Sequence, residues 1–252
     1  MATDSFAVIL NALVIPPFMT LAKALASVDK TPVLDHIVQA KSSWGILAEH
    51  QPEALAQALH QGLTKAGMPS LCVRDAQVVV PPEPILMTAL ETLDFKRVVM
   101  IGVAGVPEVT VKTTHVKEGP SAGQKILNTT VLMTTGIPLK LGGKTRVVEK
   151  TSTQTESLFF LDLVLENPFE RRRMDALNFN YACLDARKGY QVLGNLRLLV
   201  EDLLRLAPQA DINHGVRLFQ EKRPLNEMGY ATLADLDREL RWRLTLQKLS
   251  RA

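Results

Sequence analysis

The stretch SLFFLDLVLE, residues 157–166, carries the clearest strand pattern in the chain. Every second side chain is large and apolar, and successive side chains alternate between the two faces of a strand. One face of the predicted strand therefore consists of Phe159, Leu161, Leu163 and Leu165. The other face, which includes Asp162 and Glu166, is expected to point outward.

Pro168 ends this strand, and RRRMDAL at 171–177 begins what we predict to be the returning strand of a hairpin. Upstream, RVVMIGVAGV at 97–106 is apolar on both faces and predicts a buried strand. Between residues 110 and 155 the composition shifts to Thr, Lys and Gly, without large aromatic residues. We therefore predict a long insertion near 108–156 within a β-rich region.

The hydrophobic period changes from strand to helix after the hairpin. Large apolar residues recur at helical spacing from 196 to 206 and stop before Pro208. Thr232 then has the position of a helix N-cap, with Asp235 at the capping-box position. The sequence thus predicts a β-rich domain over 85–252, closed by C-terminal helices.

A separate compact unit is predicted at the start of the chain. FAVIL at 6–10 and SLCVR at 70–74 have strand patterns, and helical patterns between them end at Gly67. The proline-rich VVVPPEP at 78–84 favours an extended linker. The predicted fold class is α+β, with a small α/β domain over 1–77 followed by the β-rich domain.

Thr31-Pro32 predicts a helix start, because a hydroxyl cap precedes proline at the first helical position. The helix that follows has apolar residues on one side: Val33, Leu34, Ile37 and Val38. Its stretch VLDHIVQAK, together with FAVIL, EALAQALHQGLTKAG and the final strand, resembles the C-terminal domain of the bacterial ribosomal stalk protein. That fold is similar to the fold of the Clp protease adaptor, so the resemblance implies a small α/β fold.

In the stalk family, a Gly-Leu-Gly-Leu-Lys stretch before the central helix belongs to the surface that binds translation factors. This chain has VDKTPVLDH in that place, so the resemblance does not extend to that surface. Farther along, strands followed by a helix over residues 85–208 are similar in element order to a pleckstrin-homology-like domain. That second resemblance implies a curved antiparallel sheet closed by a C-terminal helix.

Composition excludes several classes of protein. The 252 residues carry a formal net charge of only +3, which argues against a nucleic-acid-binding surface. Cys72 and Cys183 are far apart in sequence and lack the neighbours that a disulfide framework or zinc site needs. The apolar stretch FAVILNALVIPPFM follows no Lys or Arg and is interrupted by Pro16-Pro17, which disfavours a signal peptide or transmembrane segment. We expect a cytoplasmic protein.

The stretch GIPLKLGGKTR at 136–146 ends like a phosphate-binding loop, in Gly-Gly-Lys-Thr. Such a loop needs a glycine where this chain has Pro138, and a helix must follow it, whereas the next residues have a strand pattern. The sequence therefore predicts no nucleotide or other cofactor. The five histidines include no pair at metal-ligand spacing, so no metal site and no catalytic group are predicted.

Arg171, Arg172 and Arg173 form the densest run of charge in the chain. As a functional hypothesis they are an anion-binding patch, for acidic lipid headgroups or for an acidic protein partner. The alternative interpretation is a solvated hairpin turn. On either interpretation the three side chains are exposed, and replacing them with Gln should leave stability nearly unchanged.

These patterns together favour a non-catalytic binding or adaptor protein that engages another protein. One alternative is an enzyme whose site forms between the two domains, from residues without a local motif. Another is a structural subunit of a larger assembly, which the apolar C-terminal helix would fit.

Overall fold

A computed structural model describes residues 4–12, 14–90, 94–118, 146–223 and 225–251. Within these ranges it describes the side chains of all residues except 108–156, 225 and 226. Contacts divide the chain into one unit of Met1–Pro107 with Ser157–Ala252, and another of Glu108–Glu156. The first unit contains residues 1–77 and, of the predicted second domain at 85–252, residues 85–107 and 157–252. The predicted division into two domains stays a prediction. Helices and sheets occur in the same chain, so the predicted α+β class is confirmed.

In the part of the chain that the structure describes, the first sheet has three antiparallel strands in the order β2-β1-β3. The strands are β1 Phe6–Leu10, β2 Ile46–Gln51 and β3 Ser70–Arg74. The helices between them are α1 Phe18–Asp29, α2 Ile37–Ser42 and α3 Glu53–Lys65, and a 3-10 helix, Val33–His36, leads into α2. The predictions of β1, α3 and β3 are confirmed, whereas the sequence did not predict β2.

The second sheet has the order β4-β7-β6-β5-β8. Its strands are β4 Pro84–Leu86, β5 Val98–Glu118, β6 Arg146–Leu165, β7 Glu170–Asp175 and β8 Asp211–Ile212. β6 and β7 form the predicted antiparallel hairpin, while β4 and β8 lie at the edges and pair in parallel with their neighbours.

Three further α-helices are described after β7: α4 Val192–Leu206, α5 His214–Gln220 and α6 Leu233–Arg251. Both helices that the sequence predicted in this region, α4 and α6, are confirmed. One of the two hydrogen bonds of the predicted capping box is present, from the Thr232 backbone N–H to the Asp235 carboxylate at 3.0 Å, whereas the Asp235 N–H donates to the Thr232 carbonyl and not to its hydroxyl.

Helix α6 is apolar on two sides, and each side contributes to a different core. Leu236, Leu240 and Leu244 join the buried cluster around the second sheet. Trp242 joins the cluster around the first sheet and is fully buried there. A helix with two apolar sides must be covered on both of them, so α6 is shared between the two sheets.

The indole ring of Trp242 packs closely against the residues around it. Its indole N–H donates a hydrogen bond to the Leu10 carbonyl at 2.7 Å. Gly45 lies against the ring, where an added Cβ would come within 2.1 Å of the indole. Gly45 also has a φ of 90°, in the left-handed region that favours glycine. The turn between α2 and β2 therefore depends on glycine for two separate reasons.

Candidate functional site

The three arginines of the predicted anion patch lie on β7, but two of them do not face solvent. Arg171 and Arg173 are buried, and both bind the buried carboxylate of Asp162 on β6. Arg172 is partly exposed and pairs with Glu170 at 3.0 Å. The structure therefore corrects the expectation that all three arginine side chains are exposed, since Arg172 alone among the three is partly exposed.

Asp162 was expected on an outward face, and this too is corrected. Its carboxylate accepts hydrogen bonds from Arg171 Nε at 2.9 Å and from Arg173 Nε at 2.8 Å. Asp237 of α6 adds a second carboxylate beside both arginines. The face is covered because α6 packs over it. Burial lowers the pKa of Arg173, but the hydrogen bond and charge of Asp162 outweigh burial and leave that pKa raised.

This arrangement changes what the arginines can do. The exposed-patch interpretation predicts little effect on stability when all three are replaced with Gln, whereas buried ion pairs predict a large loss. Two guanidinium groups that already bind carboxylates are also poorly placed to bind an external anion.

Some sequence candidates lie outside what the structure describes. Residues 136–145, which include the Gly-Gly-Lys-Thr stretch, are among the undescribed residues. Among the described residues, no group of three His, Cys, Asp or Glu side chains is placed to hold a metal ion. None of the described helices combines the length and apolarity needed to cross a bilayer.

A cleft of about 640 Å³ opens beside Trp44, and we call it the Trp44 cleft. It is lined by the loop 14–18, Ala40, Lys41, Trp44, His214 and the segment 227–229. Its residues come from both ends of the sequence, so no local motif marks it. A concave and largely apolar cavity with a few polar groups is the usual form of a binding site.

Trp44 forms the floor of its cleft, and the buried ring of Tyr230, which is not part of the lining, stacks against it. The rings of Trp44 and Tyr230 lie 4.3 Å apart between centroids, with 17° between their planes. The Tyr230 hydroxyl donates a hydrogen bond to Glu239 and accepts one from Asn213 Nδ2 at 2.8 Å. Burial, and then the charge of Glu239, raise the pKa of Tyr230 well above its usual value, so this hydroxyl keeps its proton.

The same buried network fixes the start of α5. The Glu239 carboxylate accepts hydrogen bonds from the His214 backbone N–H at 2.7 Å and from Arg243 Nε at 3.1 Å. Asn213 Oδ1 accepts from the backbone N–H groups of Val103 and Val216, both at 2.9 Å. These polar groups are bonded to one another and to the backbone. The network thus holds the floor rigid and leaves it little capacity for acid–base chemistry.

The mouth of the cleft is apolar and exposed. Val14 and Phe18 keep 54% and 40% of their surface accessible. Pro16 and Pro17 come directly before α1 and restrict the backbone of this wall, because proline fixes φ. Large apolar side chains held open to solvent in a concave site are typical of an interaction surface.

Lys41 provides the charge at the mouth. Its ammonium lies 4.8 Å from the centre of the Phe18 ring. Glu227, the acidic residue of the lining, already pairs with Arg223. No ion pair between Lys41 and a carboxylate is found among the described residues. Within the described ranges, the ammonium of Lys41 at the mouth is therefore not paired with a carboxylate, and it lies beside an aromatic ring.

An apolar stripe that leads to Lys41 lies on the 3-10 helix Val33–His36 and on α2. Leu34 and Val38 are each 76% exposed, whereas Val33 and Ile37, which the sequence places on the same side, pack against the core of the first sheet. Leu34, Val38 and Lys41 follow the spacing i, i+4, i+7, so they share one side of the helical segment. We call Leu34 and Val38 the α2 stripe.

Sequence reasoning missed this site, since Trp44 is far from His214 and Tyr230 along the chain. The available signals were Pro16-Pro17 before an aromatic residue, and a Trp-Gly pair in a chain with two tryptophans. Comparison of the chain with known protein families, curated proteins and solved structures yielded no match.

Proposed function

We propose that this protein is a non-catalytic binding protein that engages a linear segment of a partner protein through the Trp44 cleft. The observation that carries the proposal is the pair of exposed apolar side chains, Val14 and Phe18, at the mouth of a cleft with a rigid floor. A rigid site loses less conformational entropy when a peptide binds.

The character of the polar groups also supports binding over catalysis. Tyr230 and Glu239 are bonded to each other beneath Trp44, and Glu227 is paired with Arg223. Catalytic acids and bases need free access to a substrate atom. If the protein were an enzyme with its site in this cleft, the titratable groups of the lining besides the paired Glu227 would be His214 and Lys41.

The proposal predicts that Phe18→Ser weakens peptide binding by about tenfold, because an aromatic anchor at an interface is worth roughly 1–2 kcal/mol. Peptides of about twelve residues, which extend over roughly 40 Å, would be selected from a random display library on the wild-type protein. Their dissociation constants would then be measured by isothermal titration calorimetry.

Leu55→Ser is the matched control for this experiment. Leu55 is exposed and lies in the first turn of α3 after Pro52, as Phe18 lies in the first turn of α1 after Pro17. Leu55 does not line the cleft, so its replacement should leave binding unchanged. Equal affinity of the selected peptides for the wild type and for Phe18→Ser would show that they bind elsewhere and would overturn the proposal.

A further inference from the structure

We infer that the segment bound by the Trp44 cleft is acidic, with a carboxylate that pairs with Lys41 and an apolar side chain on each side of it. This inference rests on the proposed function, because it specifies the chemistry of the segment that binds in the cleft. It follows from the charge at the mouth and from the position of the α2 stripe.

The charge of Lys41 is available to a partner. Helix C-termini carry a partial negative charge, which a nearby lysine would otherwise serve to balance. At the C-terminus of α2, Arg238 of α6 also helps to balance this partial negative charge, because it donates a hydrogen bond to the Ser42 carbonyl at 2.7 Å. With Glu227 occupied by Arg223, the charge that remains at the mouth is positive.

The aromatic ring under Lys41 favours the same ligand. An ammonium 4.8 Å from a ring centre is attracted to the face of that ring, which limits the positions that the lysine samples. A carboxylate approaching the mouth would therefore meet a cation already held near its bound position. An apolar neighbour of the carboxylate could then enter the cleft above Trp44.

The α2 stripe supplies the second apolar contact. From the rise per residue of 3-10 and α-helices, Leu34 lies about 11 Å from Lys41 along the helical segment. A strand-like peptide covers a similar distance in three residues, roughly 10 Å. One short segment can therefore contact the cleft, Lys41 and the stripe together. Apolar residues flanking an acidic residue are the chemistry that fits this surface.

The test uses two pools of peptides of about twelve residues with the same randomised apolar positions. One pool has Asp or Glu at its central positions and the other has Asn or Gln. We expect the acidic pool to bind the wild-type protein about fivefold more tightly in fluorescence anisotropy at low salt. The difference should shrink at about 1 M salt, where the Debye length falls to roughly 3 Å.

Lys41→Met should remove the preference for the acidic pool, whereas Lys65→Met, at an exposed lysine of α3, should retain it. Lys41→Glu should reverse the preference, so that a third pool with central Lys residues binds best. Circular dichroism would confirm that each variant is folded.

Equal binding of the acidic and amide pools, with both weakened by Phe18→Ser, would overturn the inference and leave the proposed function standing. Binding of neither pool would overturn both. Tighter Lys41-dependent binding to phosphatidylserine vesicles than to the acidic pool would assign the surface to an anionic membrane, and would also overturn the inference.

Discussion

Replacement of Asp162 with Ala is expected to destabilise the protein by about 3–5 kcal/mol. The substitution leaves the buried guanidinium groups of Arg171 and Arg173 without the carboxylate that both of them bind. Asp237 would remain beside them, but its side chain is 45% exposed and its charge is better screened. The loss would be measured by chemical denaturation at neutral pH.

Asp162→Asn separates charge from volume, because it keeps the size of the side chain and removes the negative charge. The control is Glu166→Gln, at a carboxylate that pairs with Arg251 on the surface, where both side chains are about half exposed. That change should cost less than about 1 kcal/mol. A similarly small loss for Asp162→Ala would contradict the buried ion-pair cluster.

Trp242→Ala is expected to cost about 3–5 kcal/mol, as is usual for truncating a large aromatic side chain in a core. It would leave a cavity in the cluster around the first sheet and free the Leu10 carbonyl from its hydrogen bond. Thermal and chemical denaturation of the variant and the wild type would measure the difference.

Tyr190→Ala is a suitable control for Trp242→Ala, because Tyr190 is fully exposed. Its removal should change stability by no more than about 0.5 kcal/mol. The loss of stability caused by Trp242→Phe should lie between those of the other two variants, since phenylalanine retains a ring but lacks the indole N–H. If Trp242→Ala lowered the free energy of unfolding no more than Tyr190→Ala does, α6 would not be part of the core around the first sheet.

The elements that sequence predicted correctly are those with complete local signals. α3 begins after Pro52 and ends before Gly67, which has a positive φ of 77°. Thr232 and Asp235 mark the start of α6, and β6 has strict alternation on one face. In such segments the period and the end signals agree, so no distant contact is needed to locate them.

The sequence did not predict strand β2 because its apolar stretch is only two residues long. Ile46 and Leu47 are buried at its start, and the remaining residues are more exposed because β2 is an edge strand. The burial of Asp162 was missed for a different reason. A lone acidic residue on a strand face is normally solvated, and only the arginines of β7 and the cover of α6 make its burial favourable.

The candidate site was not predictable from local patterns. Phe18 and Lys41 come from the first part of the chain, whereas His214 and Tyr230 come from the last part. The exposure of Leu34 and Val38 could not be predicted either, because an apolar stripe on a helix has the same sequence pattern whether it faces a core or a partner. Only the three-dimensional arrangement tells these two cases apart.

The position of Trp242 in the core of the first sheet also has a consequence for protein synthesis. Val78 is the last residue of that core before Trp242, and roughly 160 residues separate the two. At translation rates of roughly 5–20 residues per second, the ribosome needs about 8–30 s to cover that distance. During this time the emerging chain exposes the apolar seat beside Gly45 and Leu10, and we expect it to be recognised there by chaperones that bind nascent chains.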